Sequence, residues 1–520
     1  MNIMNVETPV ENEDIFEVRT SIFNIVVPLR AGRALVYNPL TQALAVYTKG
    51  AMDIYEEATG GVIKSDHEFL DQVRNSGHFV RAEADEYRWA ESLYQAERNN
   101  DKVLMLVVAP TMGCNFACDY CFQGLDKANK KMSQESRDAI VDLLDGKHAD
   151  AELVSLMWYG GEPLNDKKTV LEVSERMHKK CAETGKQFAL QMVSNGYQLV
   201  PSLVDKLAAF GFGWVQITID GPPEIHDTRR ILLSGKGSYD RIVENIDYIL
   251  NNTEIGVCVR VNLDVRNLEH GFDLIDDLAA RGFGGKRLSL DFAPVHSSTQ
   301  DWVDDEGVVA DKLYYAAREI ELFKYAKVNG MYNFFAPPRF MSICVGVKSH
   351  AYLIGPNGDF HNCFETVHDD KFAIGHVSDL DTALATEKAA RWQIWSPFVN
   401  PTCRQCKLLT SCGGACAHRF LHADETNGAA TKLPCPSMKF NMAERLFELA
   451  KQTGIDVTDD DWLPHKSRTS AEMMGLPYNE QRLAEAVQVL EDRMTDHMAK
   501  EIRPDLTKAM TLLGKKFAVE

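Results

Sequence analysis

A chain of 520 residues is too long for one hydrophobic core and is expected to divide into several domains. Its net charge of −19 excludes the basic surface that nucleic-acid phosphates require, while 45% hydrophobic and 25% charged residues fit a globular protein. No stretch approaches the roughly twenty apolar residues of a membrane helix, and residues 1–14 are acidic without a signal-peptide core, so a cytoplasmic protein without a membrane partner is expected. Twelve cysteines in a reducing compartment point to metal rather than disulfides.

In chain order, short strands are predicted at 21–29, 34–37 and 43–47, separated by turn residues such as Asn38-Pro39. Helices are predicted at 51–58 and 66–76, then Gly77-His78-Phe79-Val80, then another helix to residue 97. Three strands followed by helices resemble the small winged-helix element that binds leader peptides of ribosomally made precursors, here a domain over 1–100. A structural cap on the following domain is the alternative.

Residues 103–109 read as a buried strand, short and apolar and ending at Pro110. The loop after it carries Cys114-Asn-Phe-Ala-Cys118-Asp-Tyr-Cys121. Three close thiolates with no nearby fourth Cys or His suit a four-iron cluster with one iron left open. A zinc site completed from elsewhere in the chain is the other possibility. A helix is predicted at 133–145 with Ser133 as its cap. A second strand at 154–158 runs into Gly160-Gly161-Glu162-Pro163.

Strands at 188–193, 214–219 and 257–261 follow, with amphipathic stretches at 200–210 and 239–250 between them. They end respectively at Ser194-Asn195-Gly196, at Asp220-Gly221-Pro222 and at Asn262; the last includes Arg260. Alternating strands and helices imply a parallel sheet with chemistry at the strands' C-terminal ends. Cys-x3-Cys-x2-Cys with Tyr120 before the last cysteine, the Gly-Gly-Glu-Pro run and these strand ends together resemble the radical SAM superfamily. The resemblance implies an α/β fold built on a partial (β/α)6 barrel over 101–300. It implies iron ligation by Cys114, Cys118 and Cys121. S-adenosylmethionine (SAM) contacts are implied at Tyr120, Gly160, Gly161, Glu162, Pro163, Ser194, Asn195 and Arg260. In this reading the glycines let the backbone approach SAM, and Glu162 complements its ammonium. Asp220, in a run similar to that of sulfatase maturases, is the candidate catalytic proton acceptor; alternatively it holds its loop together. His226 and Asp227 are expected to organise that loop.

A helical connector is predicted over 301–343, centred on 308–329. Cys344-x13-Gly358-x4-Cys363, then Cys403-x2-Cys406-x5-Cys412-x3-Cys416 and finally Cys435 resemble the SPASM domain, here 344–440. That resemblance implies two auxiliary [4Fe-4S] clusters, three in all. Cys403, Cys406, Cys412 and Cys435 would complete one, and Cys344, Cys363 and Cys416 would supply three ligands to the other. Two closed clusters need eight thiolates and this region has seven. Sulfatase maturases carry the eighth at the position of His350, so either His350 ligates or one iron stays open. A helical extension is expected over 441–520, with amphipathic segments at 440–454 and 479–498.

The implied activity is that of an oxidoreductase in which a 5′-deoxyadenosyl radical takes hydrogen from an unactivated carbon. The implied substrate is a leader-bearing precursor peptide that acquires a thioether or carbon–carbon crosslink, as in RiPP maturases. An external flavodoxin- or ferredoxin-type donor would supply low-potential electrons. Formylglycine formation on a folded protein, and small-molecule dehydrogenation, are the alternatives.

Overall fold

The computed structural model describes residues 16–66, 68–124, 130–295, 312–331, 338–340, 343–421 and 435–463. The segment predicted at 479–498 and the acidic stretch 1–14 lie outside the described residues. Among the described residues no helix is long and apolar enough to cross a membrane.

The N-terminal part contains β1 (Glu17–Thr20), β2 (Ile25–Pro28), β3 (Ala34–Asn38), β4 (Ala43–Tyr47), α1 (Lys49–Gly60), β5 (Ile63–Lys64), α2 (Glu68–Gln72), β6 (Phe79–Arg81) and α3 (Glu86–Arg98). The strand predicted over 21–29 begins only at Ile25. Ser21 and Asn24 instead form a buried polar turn: the Ser21 N–H and the Asn24 Nδ2 both donate to the His78 carbonyl, at 2.9 and 2.7 Å. This turn splits the region into two sheets, β2-β3-β4 and β5-β1-β6. The pairing of β1 with residues more than forty positions away leaves no local signal in the sequence.

Beneath the two sheets lies His78, fully buried. Its Nε2 donates to the Ala43 carbonyl (3.2 Å), so the neutral ring's Nδ1 accepts from the Tyr47 hydroxyl (2.7 Å). Burial pushes its pKa down to about 4. A histidine held neutral stabilises the fold above its unfolded pKa near 6.5, and that stability drains as pH falls towards 4. The loss is expected to reach about 3 kcal/mol for this one group. Urea unfolding of wild type and His78→Phe at pH 7 and 4.5 checks it; an equal loss in both proteins contradicts it.

The central sheet has the order β12-β11-β10-β9-β8-β7-β13-β14-β15. Its parallel part comprises β7 (Val103–Val108), β8 (Leu153–Trp158), β9 (Gln187–Ser194), β10 (Phe212–Thr218), β11 (Gly256–Leu263) and β12 (Leu288–Pro294). The connecting helices include α4 (Gln134–Asp142), α5 (Lys167–Glu183), α6 (Pro201–Ala208), α7 (Pro223–Arg229), α8 (Tyr239–Asn252) and α9 (His270–Ala280). Ser133 caps α4 by accepting from the Ser136 N–H (3.1 Å). One contiguous core runs from Leu104 and Leu106 through Leu156, Val215 and Val259 to Leu290. The helix α10 (Lys312–Val328) packs beside it.

The sheet does not stop at the barrel. β13 (Ala351–Ile354) runs parallel to β7, and β14 (Asp359–His361) and β15 (Gly375–His376) extend it antiparallel. Arg98, at the end of α3, is buried and donates to the carbonyls of Val347 (2.7 Å) and Trp395 (2.9 Å), tying the N-terminal part to this extension. The helix α11 (Met438–Gln452) carries Met442, Leu446 and Phe447 against Ile25, Val27, Leu35 and Tyr37. One face of the β2-β3-β4 sheet is therefore covered from within the chain.

Candidate active site

The loops leaving the C-terminal ends of β7 to β11 meet around the cysteine triplet. Each neighbouring loop fastens the segment that carries it. Ala117 N–H donates to Ile231 O (2.9 Å) and Leu233 N–H to Asn115 O (3.0 Å), forming a short bridge at Phe116 and Leu232. Asn195 Nδ2 donates to Asn115 Oδ1 (2.9 Å), and Asn165 Nδ2 to Gly113 O (3.1 Å). Cys114 and Cys121 are partly exposed and Cys118 is buried. Burial pushes the Cys118 thiol up to about 11, against the pull of the Arg230 guanidinium.

Gly160 and Gly161 are needed for this loop's close approach. A Cβ on Gly160 (φ +119°) would lie 2.5 Å from Thr111 O, and one on Gly161 would lie 2.1 Å from Met112 O. Through that gap Gly161 N–H donates to Thr111 O (3.2 Å) and Glu162 N–H to Gly113 O (3.0 Å). The structure thus gives the two glycines a partner within the chain, the backbone of the cysteine loop.

Glu162 is fully buried, and its carboxylate accepts from Leu164 N–H (3.1 Å), Asn195 N–H (2.8 Å) and Ser194 Oγ (3.0 Å). Burial raises its pKa, and these donors oppose the rise. These bonds hold the carboxylate beside Ser194-Asn195. Pro163 opens the short 3-10 turn that follows.

Asp220 is also fully buried. Its Oδ2 accepts from the Tyr120 hydroxyl and lies 3.9 Å from Arg230 Nη1; its Oδ1 accepts from Asn262 N–H (2.9 Å). Tyr120 in turn receives Arg230 Nη1 (2.5 Å) and Asn262 Nδ2 (3.2 Å). Burial raises the Asp220 pKa, with Arg230 and Arg229 opposing. Both carboxylate oxygens thus accept hydrogen bonds from the chain. His226 accepts from Asp220 N–H (3.3 Å), and Asp227 Oδ1 accepts from Ser238 and Tyr239 N–H (2.7 and 3.0 Å), so both organise that loop. Arg260 pairs across strands with Asp291 (2.5 Å). Arg230 escaped the sequence reading: as one of two adjacent arginines it carries no spacing signal.

The seven C-terminal cysteines fall into two electrostatic neighbourhoods. Cys403, Cys406, Cys412 and Cys435 form one. Cys344, Cys363 and Cys416 form the other, with the Glu365 carboxylate beside them. In both, burial raises the thiols. Among the described residues no three His, Cys, Asp or Glu side chains close around a point as a single-ion site requires. The buried Lys439 ammonium, 3.5 Å from Cys435 Sγ, needs compensating negative charge, which anionic metal thiolates supply.

His350 is the remaining candidate ligand. It sits where β13 begins, its carbonyl accepting from Met105 N–H (2.9 Å) and its ring 5.4 Å from that of His148. Met105 is on β7, two residues from that strand's start, so His350 lies towards the end opposite the cysteine loop. His350→Ala is expected to leave the iron content and the auxiliary EPR signals unchanged; loss of one signal contradicts this placement.

Residues 108–276 match the Radical SAM superfamily. Mycofactocin maturase MftC of Mycolicibacterium smegmatis is 26% identical over 339 residues, covering 62% of this chain and 80% of the relative. The serine-type anaerobic sulfatase-maturating enzyme of Bacteroides thetaiotaomicron is 25% identical over 361 residues, covering 61% of this chain and 83% of the relative. The solved structure of native anSMEcpe with bound AdoMet and Kp18Cys peptide shares the fold, with a TM-score of 0.51 at 18% identity over 68% of this chain and 98% of that one. Residues 108–276 are a radical SAM superfamily domain, and the chain is a radical SAM enzyme.

Proposed function

We propose that the chain is a peptide maturase that takes hydrogen from a ribosomally made precursor and installs an oxidative modification, a thioether or carbon–carbon crosslink. The observation that carries this reading is the pair of C-terminal thiol groups added to the cysteine loop. An oxidation that removes two electrons needs acceptors beyond the site that starts it, and two auxiliary [4Fe-4S] clusters would provide them.

Cys114, Cys118 and Cys121 would hold the first cluster, and SAM bound there supplies a 5′-deoxyadenosyl radical able to abstract hydrogen from an unactivated C–H bond. The chain's residues arrange this site. Gly160, Gly161 and Pro163 press one loop against the cysteine backbone, and Glu162 fixes Ser194 and Asn195 where SAM's ribose or carboxylate would lie. Tyr120 presents its partly exposed ring while Asp220, Arg230 and Asn262 hold its hydroxyl. Arg260, braced by Asp291, would close the far side. Cys403, Cys406, Cys412 and Cys435 would hold one auxiliary cluster and Cys344, Cys363 and Cys416 the other, with one iron open. A flavodoxin- or ferredoxin-type donor would deliver the electrons.

Residues 1–100 would act as the leader-recognition domain through a sheet edge, since one face of β2-β3-β4 is already covered. A second reading, formylglycine formation on a folded protein, is supported by the sulfatase-maturating relative. Anaerobic co-expression with short open reading frames flanking the gene, followed by mass spectrometry, separates the two. Loss of hydrogen pairs from a peptide supports the first. An unchanged peptide alongside conversion of a co-expressed sulfatase would replace it with the second.

A further inference from the structure

An ammonium group is seldom removed from water without a carboxylate to meet it. Lys439 is 4% exposed, in the first turn of α11 and four residues beyond Cys435. Its Nζ donates to Cys435 Sγ at 3.5 Å, and its backbone N–H to Pro436 O at 3.1 Å, so the turn that places the thiol also places the cation. Among the described residues no carboxylate pairs with it, and its charged neighbours are Cys406, Cys435 and Cys412. Around Cys344 and Cys363 the nearby charged side chain is instead the Glu365 carboxylate. The two thiol groups therefore differ in the charged side chain beside them, an ammonium at one and a carboxylate at the other.

Adding an electron to a thiolate-bound cluster adds one negative charge. A fixed cation in a low-dielectric interior favours the reduced form, and a fixed anion opposes it. We infer that Lys439 is a positioning residue that anchors Cys435 and sets the potential of the Cys403, Cys406, Cys412 and Cys435 cluster above that of its neighbour at Cys344, Cys363 and Cys416. The inference rests on the cluster assignment proposed above. It makes the Lys439 side the preferred acceptor when the two auxiliary sites compete for one electron.

The test is a potentiometric EPR titration of the reconstituted full chain, comparing wild type with Lys439→Gln and Lys439→Arg. Lys439→Gln is expected to keep its iron while the higher of the two auxiliary potentials falls by at least tenfold in equilibrium constant, about 59 mV for one electron. Lys439→Arg, which keeps the charge, is expected to stay within threefold of wild type. Iron retained with both potentials unmoved in Lys439→Gln overturns the inference. If that variant loses iron, Glu365→Gln decides: the lower potential is expected to rise tenfold, and no rise overturns the opposed-charge account. A wild-type chain lacking any auxiliary signal overturns the cluster assignment, and with it the role of Lys439.

Discussion

Cys118→Ala is expected to abolish SAM cleavage and to lower the iron content by about four atoms per chain. Cys118 is the buried member of its triplet, so no solvent ligand can readily take its place. Its neighbours are also committed: Arg230 reaches the Tyr120 hydroxyl at 2.5 Å, and Asp119 N–H donates to Arg229 O at 3.4 Å. Removing the thiol takes away one of the acidic groups beside that guanidinium and leaves Asp220 to meet it. The auxiliary thiols belong to a different part of the chain, so the iron proposed there should persist. Iron analysis with an assay for 5′-deoxyadenosine gives the answer. A variant that keeps all its iron, or still cleaves SAM, contradicts the assignment.

Gly161→Ala carries the second large effect, and for a different reason. The new methyl would lie 2.1 Å from Met112 O, 2.6 Å from Met112 C and 2.7 Å from Gly113 O. All three atoms are backbone, so no side-chain rotation relieves the clash. The loop carrying Glu162 must move off the cysteine segment, breaking the Glu162 N–H bond to Gly113 O. Overpacking of this kind costs about 3 kcal/mol, and here it also unseats the scaffold of Ser194 and Asn195. The variant is expected to lose SAM binding together with stability. Gly50→Ala is the control: it lies in α1 with nothing within 4 Å of the added carbon, and should gain up to about 1 kcal/mol. Urea unfolding and SAM-induced EPR changes distinguish the pair. Wild-type SAM affinity in Gly161→Ala contradicts the close-approach argument.

The strands that carry the site were legible because each is a short apolar run ending in a distinctive polar group. Residues 103–109 and 154–158 correspond to β7 and β8 within a residue at each end, and Ser133 is the cap it was expected to be. The strands β1, β5 and β6 and the extension of the sheet by β13 to β15 were not legible. Their pairing joins segments far apart, such as Ala351 with Met105, and local pattern holds no record of it. Spacing served the cysteines well: those grouped by motif are also grouped in space. For His350 spacing leaves ligation and an open iron both standing, and its ring lies 5.4 Å from that of His148. Arg230, Lys439 and Glu365 are single charged residues without a periodic neighbour. Only their burial or their place beside the thiols marks them.

Mixing the anaerobically reconstituted, reduced protein with SAM and following 5′-deoxyadenosine and methionine is the most direct measurement of the central claim. Equal amounts of both products, with an EPR spectrum that changes when SAM is added, are the expected result. A reduced, fully iron-loaded protein that leaves SAM intact would contradict it.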